Sequence, residues 1–285
     1  MEYIVVFVSS IAFMIFSMRF SWWRKDISFS YSRVLMYHMV SEHLPKNQSK
    51  FNRLRVIPKE FEKQLIWLKQ NGFKSFTLSE LVKLENIPEK SVVLTFDDGY
   101  EDNFTNAFPL LQKYDFKATI YIVLNRFENN WATDKDLDKA SSELNNEKML
   151  SDEQIKIMIE SGLIEIGSHT LDHVNLPKLN KEEKERQLIE SKKQIENIFA
   201  IKCDSFAYPF GFYDEDSVKI VENIGYTNAT TTVNGVFDKN KYSNFEIPRI
   251  MVSGRQGLFA FILKMKKGRN RWKFVIFHVH LFMVV

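Results

Sequence analysis

Two groups of acidic and imidazole side chains have the types and spacing needed for chemistry. Asp97 and Asp98 are adjacent carboxylates in the segment TFDDG, directly after an apolar run that reads as a buried strand. Adjacent side chains at a strand end point in different directions, so one carboxylate can bind a cation while the other transfers a proton. Asp-Gly is also a common turn dipeptide, and this motif alone is more often structural than functional.

His169 and His173 form the second group, in the segment SHTLDH. Two histidines four residues apart can face one point from a single helical turn, and imidazole is a common ligand of borderline metals. The chain has only 6 histidines, and these two directly follow a strand-like run, which strengthens a weak signal. Two histidines and one carboxylate, with positions left for water, are typical of hydrolytic or oxygenase metal sites.

Short apolar runs alternate along the chain with amphipathic segments, and these elements must position the two groups. Strands are predicted at 34–38, 91–96, 118–124, 163–168, 204–208 and 274–280. Helices are predicted to begin at Pro58, Thr77, Ser151, Asn180 and Asp214. Two of these starts carry a capping box, formed by Thr77 with Glu80 and by Ser151 with Gln154. The alternation predicts parallel βα units and therefore the α/β class.

The candidate residues share one position relative to the predicted strands. The residues at or just after the C-terminal ends of these strands are His38, Asp97, Asp98, His169 and Tyr208. In a (β/α) barrel such ends converge on the face that carries the chemistry. We therefore expect an irregular (β/α) barrel of about seven units with its active site at this face. An open doubly wound sheet is the alternative, since it would also gather strand ends.

Composition excludes several classes of function. The chain has 285 residues, with 39 Lys plus Arg against 36 Asp plus Glu, so its formal charge is only +3. This balance gives no support to a nucleic-acid partner, which would require a concentrated basic face. Cys203 is the single cysteine, which excludes an internal disulfide and any metal site built from several cysteines.

The first residues of the chain are apolar, and this pattern predicts a membrane anchor over residues 1–23. A linker at 24–32 and a catalytic domain at 33–285 are expected to follow it. An uncharged run at 3–18, extended past Arg19 by Phe20, Trp22 and Trp23, is just long enough to span a bilayer, and a cleaved signal peptide is the alternative. Arg19, Arg24 and Lys25 follow the run and favour a cytoplasmic position for the domain behind it.

Three motifs in sequence order identify a family. TFDDG, SHTLDH and AYPFG (207–211) together resemble the motifs of the polysaccharide deacetylases, the NodB-type carbohydrate esterases. The likeness runs from about Val92 to the C-terminus. The segment VLMYHMV (34–40) resembles the start of the subgroup that deacetylates poly-N-acetylglucosamine in biofilm matrix. This extends the likeness to nearly all of the chain after residue 33.

The resemblance implies a role for each motif residue. Asp97 would be the general base, and Asp98, His169 and His173 would bind a divalent metal, with zinc as the expected ion. The turn after the third motif's strand would supply the oxyanion and substrate contacts, from Tyr208 and from the backbone N–H of Phe210.

The sequence leaves two further roles to be assigned, the general acid and the cation that holds the base aspartate. The general acid is His38 in the subgroup pattern, or His278 on the last predicted strand in the pattern of other relatives; we favour His38, because Val279 stands where an acidic residue is usual. Many relatives also carry an arginine that holds the base aspartate, at the position occupied here by Ala207. Arg249 could supply that cation from a neighbouring strand.

These features predict a metal-dependent hydrolase that removes N-acetyl groups from amino sugars of a surface polysaccharide such as poly-N-acetylglucosamine or peptidoglycan. Its partners would be the N-acetylated glycan and, through the N-terminal segment, a membrane, with the domain outside the cytoplasm by family resemblance. A deacylase of a lipid-linked amino sugar precursor on the cytoplasmic side is the alternative. A catalytically silent glycan-binding relative is a third possibility, which the intact Asp-Asp and His-x-x-x-His motifs disfavour.

Overall fold

Seven parallel strands close into a barrel at the centre of the protein. The structure is a computed structural model that describes residues 2–20, 22–127 and 142–268. The barrel strands are β1 (Arg33–Tyr37), β3 (Ser91–Phe96), β4 (Ala118–Ile122), β5 (Ile164–Ser168), β6 (Ser205–Ala207), β7 (Asn228–Asn234) and β8 (Ile247–Met251). They pair in this order, β8 pairs with β1 to close the ring, and the two-residue β2 (Lys74–Ser75) pairs with the start of β3. The barrel prediction is confirmed, and the open sheet is excluded.

Helices connect the strands and cover the barrel. They are α1 (Glu2–Phe20), α2 (Pro58–Gln70), α3 (Leu78–Lys83), α4 (Phe108–Tyr114), α5 (Ser142–Asn145), α6 (Asp152–Glu160), α7 (Lys181–Phe199), α8 (Glu215–Asn223) and α9 (Leu258–Lys267). A π-helical turn at Asn103–Ala107 leads into α4. Both predicted capping boxes are present, at Thr77 and at Ser151. Each box satisfies two backbone N–H groups that the first helical turn leaves unpaired, which fixes where these helices begin.

Alternate strand residues face opposite sides of the barrel wall. Leu94 and Phe96 of β3 join the main hydrophobic core with Phe61 and Leu65 of α2, and all four are fully buried. The intervening β3 residues therefore face the barrel interior, because strand side chains alternate. This interior is partly polar, and Thr95 lies there. Strand alternation thus separates an apolar layer under the helices from a mixed interior, in which Thr95 lies with apolar side chains such as Val93 and Tyr121.

Gly167 of β5 provides the space for an aromatic ring inside the barrel. A Cβ atom at this position would lie 2.6 Å from Cδ1 of Tyr121 and 2.8 Å from the backbone oxygen of Ser205. The hydroxyl of Tyr121 lies 3.0 Å from Oγ of Ser205, so the ring has little room to move away. The absence of a side chain at position 167 allows β4, β5 and β6 to approach around this tyrosine.

We expect Gly167→Ala to destabilise the protein by about 1–3 kcal/mol, because the methyl group overpacks the barrel interior. Gly235→Ala is the matched control, since its added Cβ would meet only Pro248 and Tyr242, each at 3.8 Å. Urea unfolding of the two variants and the wild type measures the effect. Equal unfolding midpoints for the two variants would show that the barrel relaxes around the added methyl group.

The prediction of a single membrane span over residues 1–23 is wrong. Within the described segments, none of the helices is both long enough and apolar enough to cross a bilayer. The helix at the N-terminus, α1, has 19 residues and includes Glu2 and Arg19, whereas a span requires about 20 apolar residues. The membrane partner and the cellular location that were inferred from this span are withdrawn with it.

Candidate active site

The parallel strands bring the sequence-predicted residues to one rim of the barrel. Asp97 and Asp98 follow β3 directly, His169 follows β5, and His38 follows β1. Strands β1 and β4 both pair with β3, and β5 pairs with β4. Because all of these pairs are parallel, the four residues leave the barrel at the same end, although 131 positions separate His38 from His169 (169 − 38).

Asp98, His169 and His173 form a compact group of possible metal ligands. One ligand atom from each residue lies within 4.8 Å of the others. Oδ1 of Asp98 is 3.6 Å from Nε2 of His169 and 3.5 Å from Nε2 of His173. All three residues are buried. The three donor atoms therefore surround one point beneath the surface of the rim.

The backbone at this group adopts conformations that non-glycine residues rarely use. The φ angles are 75° at Asp98, 70° at Thr170 and 53° at His173. Each such conformation costs on the order of 1–3 kcal/mol and persists only where surrounding contacts hold it. The segment 169–173 is a loop and not the helical turn that the spacing allowed, and its positive φ angles accompany the approach of Nε2 of His173 to 3.5 Å from Oδ1 of Asp98.

The hydrogen bond of His169 fixes its tautomer. Nδ1 lies 2.7 Å from the backbone oxygen of Ala207, which can only accept, so Nδ1 carries the proton. Burial, together with the charge of His173, lowers the pKa of His169 to about 3. The imidazole is therefore neutral at physiological pH, and its Nε2 lone pair faces Asp98. A neutral imidazole held by a backbone carbonyl is the form in which histidine binds metals.

The donor set fits a divalent metal ion. Burial raises the pKa of Asp98 to about 6, because the carboxylate has lost water. One carboxylate oxygen and two imidazole nitrogens are donors that zinc accepts, and three protein ligands leave a further position for water or substrate. A cation bound between them would compensate the desolvated carboxylate. The group therefore has the chemistry of a catalytic rather than a closed structural metal site.

Asp97 pairs with Arg249, which lies on β8. The guanidinium donates two hydrogen bonds to the carboxylate, from Nη1 to Oδ1 at 2.6 Å and from Nη2 to Oδ2 at 2.8 Å. It also donates to the backbone oxygen of Thr231 at 2.9 Å and to Oγ1 of Thr95 at 3.0 Å. Asp97 and Arg249 are only 3% and 1% exposed, so this bidentate pair is inside the protein. Arg249, which the sequence offered as a possible partner of Asp97, therefore contacts that carboxylate directly.

This pair determines the charge state of Asp97. Burial raises the pKa of the carboxyl group, but the charge and hydrogen bonds of Arg249 outweigh burial and lower the pKa to about 2. Asp97 is therefore ionised at neutral pH, whereas the pKa of the adjacent Asp98 is raised. Two neighbouring carboxyl groups with pKa values moved in opposite directions are suited to different tasks.

His38 lies beside both carboxylates. The backbone N–H of Asp97 donates to the oxygen of Tyr37 at 3.0 Å, which places the residue after Tyr37 next to this strand end. The charge of His38 lowers the pKa of both Asp97 and Asp98. His38 is half-buried, and it is not part of the ligand group. Its rival His278 lies outside the described residues.

The third motif places Phe210 and Tyr208 differently. The ring of Phe210 is 4.3 Å from that of His173, and its backbone has a φ of 57°. The side chain of Tyr208 is fully buried against Phe206 and Tyr213, and its backbone N–H donates to Thr230. The structure therefore brings Phe210 to the candidate site and leaves the side chain of Tyr208 in the core outside the barrel wall.

The chain is similar in sequence to known proteins over most of its length. A family model described as polysaccharide deacetylase matches residues 85–229, which is just over half of the chain. The Bacillus subtilis protein YxkH is 34% identical over 240 residues, covering 82% of this chain and 76% of that protein. The chain belongs to the polysaccharide deacetylase family. It is therefore a hydrolase of the N-acetyl amide bond, as the sequence predicts, and enzymes of this family depend on a metal ion.

Two further relatives of this deacetylase support the assignment. The poly-beta-1,6-N-acetyl-D-glucosamine N-deacetylase of Staphylococcus epidermidis is 28% identical over 238 residues, covering 77% of this chain and 78% of that protein. A crystal structure of a polysaccharide deacetylase from Bacillus cereus aligns with a TM-score of 0.69 at 28% identity. That alignment covers 83% of this chain and 69% of the other.

Sequence reasoning missed the residue that fixes the loop carrying His38. Asn103, in the π-helical turn, is 1% exposed, and its Nδ2 donates to the backbone oxygen of His38 at 2.8 Å. Asn106 in the same turn donates to the oxygen of Val40 at 2.8 Å. The segment NFTNA reads as an ordinary helix start, so nothing in the pattern indicates these contacts, which require the pairing of β1 with β3.

We expect Arg249→Met to destabilise the protein by about 3–5 kcal/mol, because it leaves the Asp97 charge buried without its partner. Arg249→Met/Asp97→Asn should recover part of this loss, since no charge then remains buried at the pair. Arg255→Met is the surface control and should change stability by less than about 0.5 kcal/mol. Urea unfolding measures all three, and a double variant no more stable than Arg249→Met would contradict the ion-pair explanation.

Proposed function

We propose that this deacetylase uses one divalent metal ion to remove N-acetyl groups from amino sugars of a surface polysaccharide, with poly-N-acetylglucosamine as the first candidate and peptidoglycan as the second. The observation that carries the proposal is the arrangement of the rim. An ionised carboxylate held by Arg249 lies directly beside the Asp98, His169 and His173 donor set. Poly-N-acetylglucosamine comes first because the Staphylococcus epidermidis relative carries that substrate in its name.

Asp98, His169 and His173 would hold the ion, and zinc is the proposed metal because the donors are one carboxylate and two imidazoles. When bound, such an ion supplies a Lewis acid and lowers the pKa of water toward about 7. The hydrogen bond from Nδ1 of His169 to Ala207 orients the ring so that Nε2 is the donor atom. The protein thus holds His169 in the tautomer that metal binding requires.

Asp97 is the proposed general base. It would accept a proton from the water that attacks the acetamide carbonyl carbon. The two hydrogen bonds from Arg249 fix the direction of its carboxylate and keep it ionised, so the base is always in its accepting form. The same pairing weakens the carboxylate as a base. Arg249 therefore keeps the carboxylate of Asp97 oriented and ionised, but it lowers the affinity of that carboxylate for a proton.

His38 and Phe210 would complete the reaction. The carbon–nitrogen bond breaks only if the leaving nitrogen is protonated, because an amide anion is too basic to leave. His38 is the proposed acid, since it lies beside both carboxylates and outside the donor set. The backbone N–H of Phe210 is the proposed donor to the developing oxyanion, because its residue packs directly against His173. The products are acetate and a free amino sugar.

Other substrates and functions have less support. The lipid-linked precursor was favoured by the positive charges that follow a membrane span at residues 1–23, and none of the described helices forms such a span. A silent glycan-binding protein would have no use for an arginine that keeps a buried aspartate ionised next to metal-type donors. The proposal therefore stays with hydrolysis of an N-acetylated glycan.

We expect His169→Gln to lose both bound zinc and activity, whereas Asp97→Asn should keep zinc and lose turnover per folded molecule by about 10²–10⁴-fold, because the proton acceptor is removed while the three donors stay. Elemental analysis gives the metal content. Acetate release from β-1,6-linked N-acetylglucosamine oligomers, compared with peptidoglycan glycan strands, gives the activity. Equal zinc content in His169→Gln and wild type would reject the ligand set, and near-normal turnover by Asp97→Asn would place the base elsewhere.

For the general acid, we expect His38→Ala to lower turnover by about 10²–10⁴-fold per folded molecule. His278→Ala is the comparison, and it should change the folded fraction rather than the rate of the folded enzyme. Turnover is measured as above and corrected for folded fraction by circular dichroism. If His278→Ala is inactive and His38→Ala is active, the acid comes from the last predicted strand and the subgroup assignment fails.

A further inference from the structure

The loop that carries the two histidines needs support from outside itself. Residues 169–173 connect β5 to the following turn, and two of them, Thr170 and His173, have positive φ angles of 70° and 53°. Threonine is β-branched, so this conformation is unfavourable for it. Strain of this kind is kept only when neighbouring groups hold the backbone in place. The residues that hold this loop therefore control where the imidazoles lie.

Gln187 of α7 contacts the centre of this loop. It is 1% exposed, and its Oε1 accepts from the backbone N–H groups of Leu171 and Asp172, each at 3.1 Å. Its Nε2 donates to Oδ2 of Asp172 at 2.6 Å and to Oε1 of Glu183 at 3.2 Å. Both lone pairs and both N–H groups of the amide are used. A carboxylate or an apolar side chain of the same length could not make this set of bonds.

Asn125 holds the loop from the opposite direction. Its Nδ2 donates to Oδ1 of Asp172 at 2.6 Å, and its backbone N–H donates to the oxygen of Leu171 at 2.9 Å. Asp172 directly precedes His173. One of its carboxylate oxygens accepts from Asn125 and the other accepts from Gln187. The loop is fixed between the end of β4 and the long helix α7.

From this geometry we propose that Gln187 is a positioning residue that pre-organises the His169–His173 loop and thereby sets the affinity of the protein for its metal ion. The inference rests on the proposed metal site. Gln187 does not touch the donor atoms. It acts because α7 is a 19-residue helix packed on the barrel, so its amide is a fixed point from which three hydrogen bonds reach Leu171 and Asp172.

The first experiment compares two substitutions on the same helix. Gln187→Met keeps the length of the side chain and removes all four hydrogen bonds, and Gln194→Met is the control at an exposed position of α7. Zinc dissociation constants are measured by competition with a chelator, and zinc release rates by transfer to it. We expect Gln187→Met to weaken zinc binding about 10–100-fold, the range for residues that orient metal ligands, and to release zinc faster. Gln194→Met should match the wild type, and an unchanged affinity in Gln187→Met overturns the inference.

A second variant separates positioning from a general loss of stability. Gln187→Glu places a carboxylate against Asp172 and Glu183, and it should also weaken zinc binding. Adding Asp172→Asn exchanges donor and acceptor between the two positions and leaves only the contact with Glu183 unfavourable, so Gln187→Glu/Asp172→Asn should recover most of the affinity that Gln187→Glu loses. The absorption spectrum of the Co²⁺-loaded proteins reports the ligand geometry and should be restored in parallel. A double variant as folded as wild type in metal-free urea unfolding, yet still weak for zinc, overturns the inference.

His169→Gln distinguishes a failure of the proposed metal site from a failure of the proposed role of Gln187. If wild type and His169→Gln bind zinc equally, the proposed metal site itself fails. If His169→Gln loses zinc while both Gln187 variants bind it as wild type does, the site stands and only the role of Gln187 fails.

Discussion

The buried ion pair between Arg249 and Asp97 connects the architecture of the barrel to its chemistry. It joins β8 to the end of β3 across β1, and it also contacts Thr95 and the β7 residue Thr231. A charged pair in this position costs desolvation of both partners, which only complete hydrogen bonding offsets. The barrel interior provides that bonding. Asp98, His169 and His173 then remain as the donors available to a metal ion, because the carboxylate of Asp97 is already paired with Arg249.

Rigid and strained parts have separate tasks at this rim. Strands β1, β3 and β5 deliver His38, the two aspartates and His169 by parallel registry alone. His173, the remaining member of the proposed donor set, lies beyond a strand end and reaches the group through left-handed backbone conformations. Amide side chains stabilise the irregular segments, with Asn103 on the His38 loop and Gln187 on the His169–His173 loop. The regular strands determine which side chains reach the rim, and the hydrogen bonds of these amides hold the loops that follow the strands in place.

The sequence predicted the parts of the protein that depend on local patterns. The capping boxes at Thr77 and Ser151 and the β3 strand ending before Asp97 were readable because helix starts and buried strands have local signatures. Gathering of the candidate residues at one rim followed from the parallel topology. The bonds of Asn103 and Gln187 were not readable, since they depend on tertiary packing between distant segments. The N-terminal span was overestimated because the uncharged run at 3–18 is shorter than the about 20 apolar residues that a span requires, and Glu2 and Arg19 lie at the two ends of α1.

The hydrogen bond from His169 to position 207 has an evolutionary consequence. Its acceptor is the backbone oxygen of Ala207, so the contact does not depend on which side chain occupies that position. Many relatives place there the arginine that holds the base aspartate, whereas in this chain Arg249 on β8 has that contact. The guanidinium can thus migrate between strands during divergence without disturbing the orientation of the neighbouring imidazole. A substitution at position 207 that leaves the backbone in place would therefore keep the hydrogen bond to His169, because the acceptor belongs to the main chain.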